Sequence, residues 1–229
     1  MKITKLFGAA ALAFTLASSS VMAQCPSNSM PMNEIGIRLA NISDASGFGG
    51  INVAEQKASL GFFNGIHYKR YGTYGAFRTS LGLTRYETDE RRNCPDCLRT
   101  IGKVSGFTLR AGYEWFAVLG PIEPFFGLDA VGVFGKYEGE TWSTNSTNYQ
   151  ESTDNRERRG IGVSPIAGLR FYLGYAVSIS AETSVDMLFL GRSTRISQIS
   201  PEANTIARSN NYFDTVFQPL NWLSLNIMF

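Results

Sequence analysis

Apolar and polar residues alternate along most of the chain that follows residue 32. Phe107 and Leu109, for example, alternate with Thr108 and Arg110. Because successive side chains of a β-strand point to opposite faces, this period of two predicts strands with one apolar face. About eight such strands are predicted, over Asn33–Ile42, Lys57–Tyr71, Gly75–Glu87, Lys103–Phe116, Glu123–Glu138, Gly160–Leu173, Tyr175–Gly191 and Tyr212–Phe229.

The connections between the predicted strands alternate in length. Three are short and lie near residues 71–74, 117–122 and 173–175. Four are long and polar and cover residues 43–56, 88–102, 139–159 and 192–211. Short turns at one rim, long loops at the other and an even number of strands are typical of an outer-membrane barrel. The pattern therefore predicts an all-β protein, a single closed antiparallel transmembrane β-barrel with short periplasmic turns and long extracellular loops.

The direction of the apolar faces separates a membrane barrel from a soluble one. A soluble sandwich or lipocalin-like barrel turns its apolar residues inward and its charged residues outward. Here the opposite face is rich in glycine and charge, which suits a narrow lumen, whereas the continuous apolar face suits lipid. Aromatic residues also crowd the short turns, as in the girdle at a membrane interface. They are Tyr68, Tyr71, Tyr74, Trp115, Phe116, Phe125, Phe126, Phe171, Tyr172 and Tyr175.

The first 23 residues have the layout of a cleavable secretory signal peptide. Lys2 and Lys5 precede an apolar core, and Val21-Met22-Ala23 forms a small-residue cleavage site. Cleavage removes two of the 21 basic residues and leaves 19, equal to the 19 acidic ones, so no net charge favours nucleic acid. A mean hydropathy of -0.08 also argues against a polytopic helical membrane protein, whose spans need about 20 apolar residues each.

A short segment with two prolines separates the signal peptide from the first predicted strand. We expect residues 24–32 to be a flexible N-terminal arm and residues 33–229 to form the barrel. Cys25 also permits a lipoprotein interpretation. Gln24 stands where the lipoprotein motif has Gly, Ala or Ser, so an unacylated thiol is favoured.

Charged residues on the faces opposite the apolar ones are candidates for a network inside the lumen. We expect Arg78 to meet Glu114 across neighbouring strands, and Asp129 to meet Arg170 in the same way. Since buried charges are costly unless they are paired, an interlocked plug that closes the barrel is favoured over a gated or narrow ion path. The predicted network comprises Arg38, Arg78, Arg110, Glu114, Asp129, Arg170, Glu182 and Asp186.

The last strand carries the residues on which a family resemblance depends. Leu223, Leu225, Ile227 and the terminal Phe229 alternate with other residues up to the end of the sequence. Together with the signal peptide and the alternating loop lengths, they make the chain resemble the outer membrane protein β-barrel family of the OmpA transmembrane domain and OmpX. The resemblance implies a Gram-negative outer-membrane location and a C-terminal signal that the barrel assembly machinery recognises during biogenesis.

The one histidine of the chain bears on an enzymatic alternative. Small barrels similar to this one include lipid A deacylases and palmitoyltransferases, which use a histidine and a serine near the outer leaflet. His67 is predicted to point inward close to the short turn at Tyr71, and Lys69 stands where a His-x-Ser pair needs serine. A general base needs a hydroxyl within hydrogen-bond reach, so a structural role for His67 is favoured.

Cys94 and Cys97 form a CxxC motif in the second predicted long loop. Such a motif can be a redox centre or half of a zinc site. Zinc would need two further ligands, for which the sequence has neither a second CxxC nor a suitable histidine, and a redox centre would need a βαβ context. In an exported protein, a disulfide that closes the loop tip is favoured. We expect no metal site and no cofactor.

These features predict an integral outer-membrane barrel with a structural or surface-binding role through its extracellular loops and no catalytic activity. The alternatives are a lipid A-modifying enzyme and a small porin-like pore. The polar loops could contact other cells, polysaccharide or lipopolysaccharide phosphates, or be solvated without a ligand. The expected partners are outer-membrane lipid and lipopolysaccharide, the barrel assembly machinery and an extracellular ligand, with no nucleic acid.

Overall fold

The computed structural model describes residues 33–43, 59–91, 98–117, 119–143, 151–198 and 204–229. Their strands form one antiparallel sheet, which closes because β1 also pairs with β9, so the predicted closed barrel is confirmed. Within this described part, no helix is long and apolar enough to cross a membrane. The strands are β1 (Asn33–Ser43), β2 (Ser59–Phe62), β3 (Gly65–Tyr71), β4 (Ala76–Arg91), β5 (Leu98–Phe116), β6 (Ile122–Ser143), β7 (Glu151–Tyr172), β8 (Val177–Gln198) and β9 (Asn204–Met228).

β2 and β3 are two parts of one interrupted barrel strand. Both pair with β1, with Phe62 opposite Ala40 and Ile66 opposite Ile37. Ala40 is three residues from Ile37 on β1, whereas their partners Phe62 and Ile66 are four residues apart. The second strand thus has one extra residue, as in a β-bulge. Phe63, in the break, has a φ of 51°, a left-handed conformation that is uncommon for a bulky residue. The barrel thus has eight strand positions, as predicted, although the second strand is broken.

Several strands continue well past the ends predicted for them. β5 and β6, for example, pair as far as Leu98 and Ser143. Most of the segments 88–102, 139–159 and 192–211 therefore belong to strands, which corrects the strand ends predicted from the sequence. The apolar–polar alternation does not reveal these strands because both of their faces are largely polar. The backbone ladder continues whichever side chains project from it.

The short turns lie together at the opposite rim of the barrel. In the first, the Gly72 N–H donates to the carbonyl of Gly75 over 2.7 Å, and in the second Gly120 adopts a positive φ of 69°. The two ends of the barrel meet at the same rim, where Asn33 and Phe229 exchange backbone hydrogen bonds of 3.0 and 2.9 Å. The predicted short turns are confirmed, and both ends of the barrel lie at the rim of these turns.

Apolar side chains project outward around the barrel. Phe77, Leu109 and Phe189 are about half exposed, while Glu114 and Arg170 are buried inside. This distribution reverses that of a soluble domain and fits a barrel whose outside faces lipid. We call the outward set the apolar belt: Ile35, Ile37, Ile66, Phe77, Leu83, Phe107, Leu109, Phe126, Leu128, Ile161, Val163, Leu169, Phe171, Phe189, Phe213, Phe217, Leu225 and Ile227.

The aromatic residues near the short turns divide between the two faces of the wall. Phe125 is buried inside the barrel, and the hydroxyls of Tyr71 and Tyr172 donate hydrogen bonds to interior carboxylates. Only part of the predicted girdle therefore faces outward, because neighbouring residues of a strand alternate between wall and lumen. The outward members are Tyr68, Tyr74, Trp115, Phe126, Phe171 and Tyr175.

Candidate functional site

The interior of the barrel holds a dense set of buried charges. Every charge assigned to the lumen from the sequence is buried, from Arg38 at 6% exposure to Glu114 and Arg170 at 0%. A charge buried in this way must be compensated by an opposite charge and by hydrogen bonds. The buried charged residues, together with His67, are Glu34, Arg38, Lys69, Arg78, Arg110, Glu114, Glu123, Asp129, Arg170, Glu182 and Asp186.

Glu114 is the centre of the network. Its Oε2 lies 3.2 Å from Arg78 Nη1 and 3.0 Å from Lys69 Nζ. Its Oε1 lies 2.7 Å from Arg170 Nη2. The structure thus brings Arg78 and Glu114 together across neighbouring strands, as predicted. They are diagonal neighbours, because Arg78 lies opposite Gly112 and Glu114 opposite Ala76. One carboxylate is shared by three cations that come from three different strands.

The structure does not bring Asp129 and Arg170 together, which corrects the predicted pair. In the β6–β7 ladder, Arg170 lies opposite Glu123 and Asp129 lies opposite Ser164. Glu123 and Asp129 are six residues apart on β6, or about 20 Å at the rise of a strand. Arg170 accordingly binds Glu123, while Asp129 Oδ1 lies 3.4 Å from Arg78 Nε. The alternation predicts the correct face for both residues, but the predicted register of β6 against β7 differs from the observed one.

A second group of interior charges surrounds Asp186. Arg110 donates from Nη2 to both carboxylate oxygens of Asp186, over 3.0 and 2.7 Å. The Ser164 hydroxyl donates to Asp186 over 2.6 Å and the Gln218 amide over 2.8 Å. Glu182 belongs to the first group, because it accepts hydrogen bonds of 2.6 Å from Arg78 and 3.1 Å from Asn221. The charges therefore form connected clusters, not isolated pairs.

Arg38 has a different environment from the other interior arginines. Its guanidinium carbon lies 3.5 Å from the centroid of the Trp222 ring, a cation–π contact. Trp222 and Asn221 are both buried because β9 contains an irregularity: Glu182 pairs with Trp222, but Ser184 pairs with Gln218. Asn221 is the residue that breaks the period of two, whereas Trp222 shares the inward face of Ser224 and Asn226. The contact of Trp222 with Arg38 depends in addition on the pairing of β1 with β9.

Sequence reasoning missed three members of the charged network that alternation could have identified. Glu34 is separated from Arg38 by an even number of residues, four, and therefore lies on the same face of β1. Lys69 likewise shares the face of His67, and Glu123 shares the face of Asp129. His67 itself is buried, with Nε2 3.3 Å from Glu34 Oε1 and its ring edge against Trp222.

An apolar layer lies on the inner face of β6, β8 and β9, on the side of the charges away from the short turns. Val131, Leu188 and Leu190 are almost completely buried there, and Val133 and Tyr212 pack against them. This layer differs from the inward face rich in glycine and charge that the sequence predicts. Leu188 and Leu190 were missed because the residues next to them on β8, Met187 and Phe189, are apolar too, so the contrast between faces is lost.

The sheet continues beyond the apolar belt as a largely polar structure that we call the outer sheet. It comprises residues 84–91, 98–106, 135–143, 151–158, 192–198 and 204–210. Arg99 donates to both oxygens of Asp89 over 2.9 and 2.7 Å. Lys136 Nζ lies 2.5 Å from Glu138, and this ammonium holds the pKa of the Glu138 carboxyl below its usual value. The Lys136–Glu138 pair is exposed to water, unlike the ion pairs of the lumen.

The outer sheet is flanked by strands that pair on one side only in the described part of the chain. β9 pairs with β8 from Asn204 onward, but it pairs with β1 only over Leu223–Met228. β4 pairs with β5 as far as Arg91, but with β3 only up to Gly82. In the described part of the chain, the wall therefore extends farther from the short turns at β4–β9 than at β1–β3.

The remaining residues singled out in the sequence have simple outcomes. Cys94 and Cys97 lie outside the described residues, so the loop disulfide stays a prediction, and the same holds for Cys25. Leu225, Ile227 and Phe229 project outward at the closing strand, and Leu223 is partly buried. Their role as an assembly signal also stays a prediction. Among the described residues, no group of three or more His, Cys, Asp or Glu is placed to hold a metal ion.

The closed antiparallel wall, its apolar outside and its charged interior define this protein as a β-barrel of the transmembrane class. Two solved structures are similar to it. The attachment invasion locus protein Ail of Yersinia pestis has a TM-score of 0.41 and 12% identity, with 86% of this chain and 96% of that one covered. A major outer membrane protein of Thermus thermophilus has a TM-score of 0.34 and 11% identity, with 86% and 97% covered. No family model and no curated protein matches the sequence.

Proposed function

We propose that this protein is an integral outer-membrane barrel that presents its outer sheet at the cell surface as a binding surface, without catalytic activity. The observation that carries the proposal is the outer sheet itself. Strands β4–β9 extend beyond the apolar belt with largely polar side chains on both faces. A membrane anchor needs strands only as tall as the hydrocarbon layer, so the additional height needs another role.

The orientation follows from the positions of the two rims. Short turns face the periplasm in bacterial barrels, and the longer connections face outward. The turn at residues 72–75 and the joined ends Asn33 and Phe229 therefore belong to the periplasmic side. The predicted signal peptide supports export to this compartment. The outer sheet then projects into the medium.

A closed barrel is favoured over an ion-conducting pore by the packing of the interior. The charge cluster around Glu114 occupies the periplasmic half, and the layer of Val131, Leu188 and Leu190 lies above it. An ion would have to displace paired charges and then cross apolar side chains, both of which are costly.

The described residues around His67 lack the catalytic geometry that a lipid A-modifying activity would need. Ser80 lies opposite His67 in the β3–β4 ladder, but its buried hydroxyl makes no hydrogen bond to any described residue. His67 instead contacts Glu34 and Trp222 inside the barrel. A nucleophile activated by a general base needs a direct hydrogen bond and access for the substrate.

The first experiment compares otherwise identical Gram-negative cells with and without the full chain. We expect unchanged lipid A mass spectra and increased adhesion to at least one of three coatings: a sulfated glycan, a neutral glycan or an extracellular-matrix protein. A lost or gained acyl chain would establish the enzyme alternative. Steady single-channel conductance of the purified, refolded protein would establish the pore.

A matched variant separates the outer sheet from the anchor. Residues 194–208, the outermost part of the β8–β9 hairpin, are replaced by an Asn-Gly turn that joins the register partners Ser193 and Ser209. The variant should retain the heat-dependent electrophoretic mobility of a folded barrel and lose the adhesion. Adhesion that persists in the shortened variant, or none in either strain, would contradict the proposed role of this part of the outer sheet.

A further inference from the structure

An apolar groove lies on the outward face of β5–β8, where the apolar belt adjoins the outer sheet. Its volume is about 400 Å³. The stacked rings of Phe107 and Phe134, with centroids 5.5 Å apart, bound it on β5 and β6. Leu109, Ile161 and Phe189 supply further apolar walls. Among the described residues that line the groove, Arg159 is the one charged side chain.

Two glycines create the groove by leaving gaps between larger neighbours. Gly132 lies opposite Leu109 on one side and Ile161 on the other. A Cβ at Gly132 would meet no other atom within 4 Å, so the space above this backbone is open. Gly191 leaves a second gap beside its cross-strand partner Arg159. The apolar depression therefore ends at the guanidinium.

The length of β7 places the groove at one edge of the membrane. The outward residues of β7 are apolar at every position from Ile161 to Phe171. The ten residue steps between them span about 33 Å along the strand, or about 25 Å of membrane depth at a strand tilt of about 40°. This depth equals the apolar band of an outer-membrane barrel. Arg159, the next outward residue, therefore lies where the hydrocarbon ends and the lipid headgroups begin.

Arg159 has the exposure and the chemistry to bind a lipid headgroup. Its Nη2 donates to Glu157 over 2.9 Å, and its side chain is 72% exposed. That bond uses one of the five N–H donors of the guanidinium, and an exposed ion pair contributes little energy. A guanidinium can donate two parallel hydrogen bonds to a phosphate. A phosphate can therefore bind Arg159 beside Glu157 or in its place.

We propose that this groove binds lipid A, with an acyl chain over Gly132 and a glucosamine phosphate at Arg159. With the short turns at the periplasmic side, the groove lies in the outer leaflet, where lipid A carries the phosphates next to the hydrocarbon. An apolar depression that ends at a cation matches the acyl chain and the phosphate of one such lipid. The site is on the wall of the barrel and is therefore separate from the proposed adhesion surface.

The test titrates the refolded full chain in detergent micelles with hexa-acylated, bisphosphorylated lipid A, in a buffer without divalent cations. Native mass spectrometry counts the lipids bound to each chain. We expect one lipid to bind first, and dephosphorylated lipid A to bind more weakly by about tenfold because the charged hydrogen bonds are lost. Equal binding of the two forms would overturn the phosphate contact. Phosphatidylglycerol that binds as tightly as lipid A, or more tightly, would overturn the choice of lipid.

Arg159→Gln removes the headgroup contact and should weaken the binding of lipid A by about tenfold. Arg85→Gln is the matched control, because Arg85 is also 72% exposed beside a glutamate, Glu87, but lies on β4 outside the groove. The control should change the affinity less than about twofold. Equal losses in the two variants would indicate diffuse attraction and overturn the site. Glu157→Gln removes a competitor for Arg159, and weaker binding by this variant would also contradict the phosphate contact.

Gly132→Leu tests the apolar half of the site. The new side chain has space in the groove and should weaken binding by about tenfold, since it displaces the acyl chain from buried contacts. Ala167→Leu, outward on β7 and outside the groove, is the control and should leave the affinity unchanged. Both variants should keep the heat-dependent mobility of a folded barrel. Unchanged binding by Gly132→Leu would overturn the proposal, as would a dimer of the wild type that this substitution abolishes, because a second copy would then fill the groove.

Discussion

Glu114 and Glu138 have the same side chain in two contrasting regions of this molecule. Glu114 is completely buried in the lower barrel and lies within ion-pair distance of three cations. Glu138 is half exposed on the outer sheet, where it pairs with Lys136. Water compensates the loss of an exposed partner, but nothing compensates a charge left unpaired in the interior. Removal of one partner from an interior pair should therefore destabilise the barrel strongly, whereas the exposed pairs contribute little to its stability.

Glu114→Ala should have the largest effect on the stability of the barrel. The substitution leaves Lys69, Arg78 and Arg170 without their common carboxylate and should destabilise the barrel by about 3–5 kcal/mol. The measurement is the urea midpoint of unfolding of the refolded full chain in micelles. Glu138→Ala is the matched control and should leave the midpoint where it is. An unchanged midpoint for Glu114→Ala would refute the interior pairing.

The apolar layer between the two regions should give a comparable effect. Leu190 is fully buried among Val131 and Leu188, so Leu190→Ala removes buried contacts and leaves a cavity. Such substitutions destabilise by about 2–5 kcal/mol. The same urea titration measures the loss, with Leu128→Ala on the outward face as the control. A smaller loss for Leu190→Ala than for Leu128→Ala would contradict a packed layer inside the lumen.

A double-mutant cycle sharpens the interior half of the comparison. Asp129 lies against Arg78, whereas the β6–β7 register separates it from Arg170. Asp129→Asn should therefore couple to Arg78→Met by about 0.5–3 kcal/mol, and much less to Arg170→Met. The coupling energies come from unfolding titrations of the single and double variants. A stronger coupling to Arg170 would show that the register of β6 and β7 is shifted.

The smallest expected effect concerns the exposed pair of the outer sheet. Lys136 lowers the pKa of Glu138 in the folded protein. A lowered pKa contributes stability above the unfolded pKa, and this contribution is lost as the pH falls through the folded pKa. Since both side chains are in water, the Glu138→Gln variant should have the same melting temperature as the wild type at neutral and at acidic pH. A clear difference at neutral pH that disappears on acidification would mean that this surface pair is coupled to the fold.

Much of the interior could be predicted from which side chains share a face. Alternation correctly predicts that Arg78, Glu114 and Arg170 point inward. The same rule, applied to β1, adds Glu34 to the interior charges. It failed where the period of two is broken or masked: at Asn221, which precedes the buried Trp222, and at Leu190, whose neighbour is apolar as well. These failures have one cause, because alternation compares a residue only with its neighbours along the same strand.

The sequence by itself determined the strands of the membrane wall, the direction of their faces and the rim at which the short turns lie. These properties depend on local spacing, and the period of two is a property of a single strand. Only the tertiary structure decided which charges meet, where the bulges fall and how far the outer sheet extends. Arg78 and Glu182 are 104 residues apart in the chain and yet form a hydrogen bond of 2.6 Å. Such a contact depends on the closure and register of the whole barrel, since a shift of one residue turns every side chain of a strand to the other face.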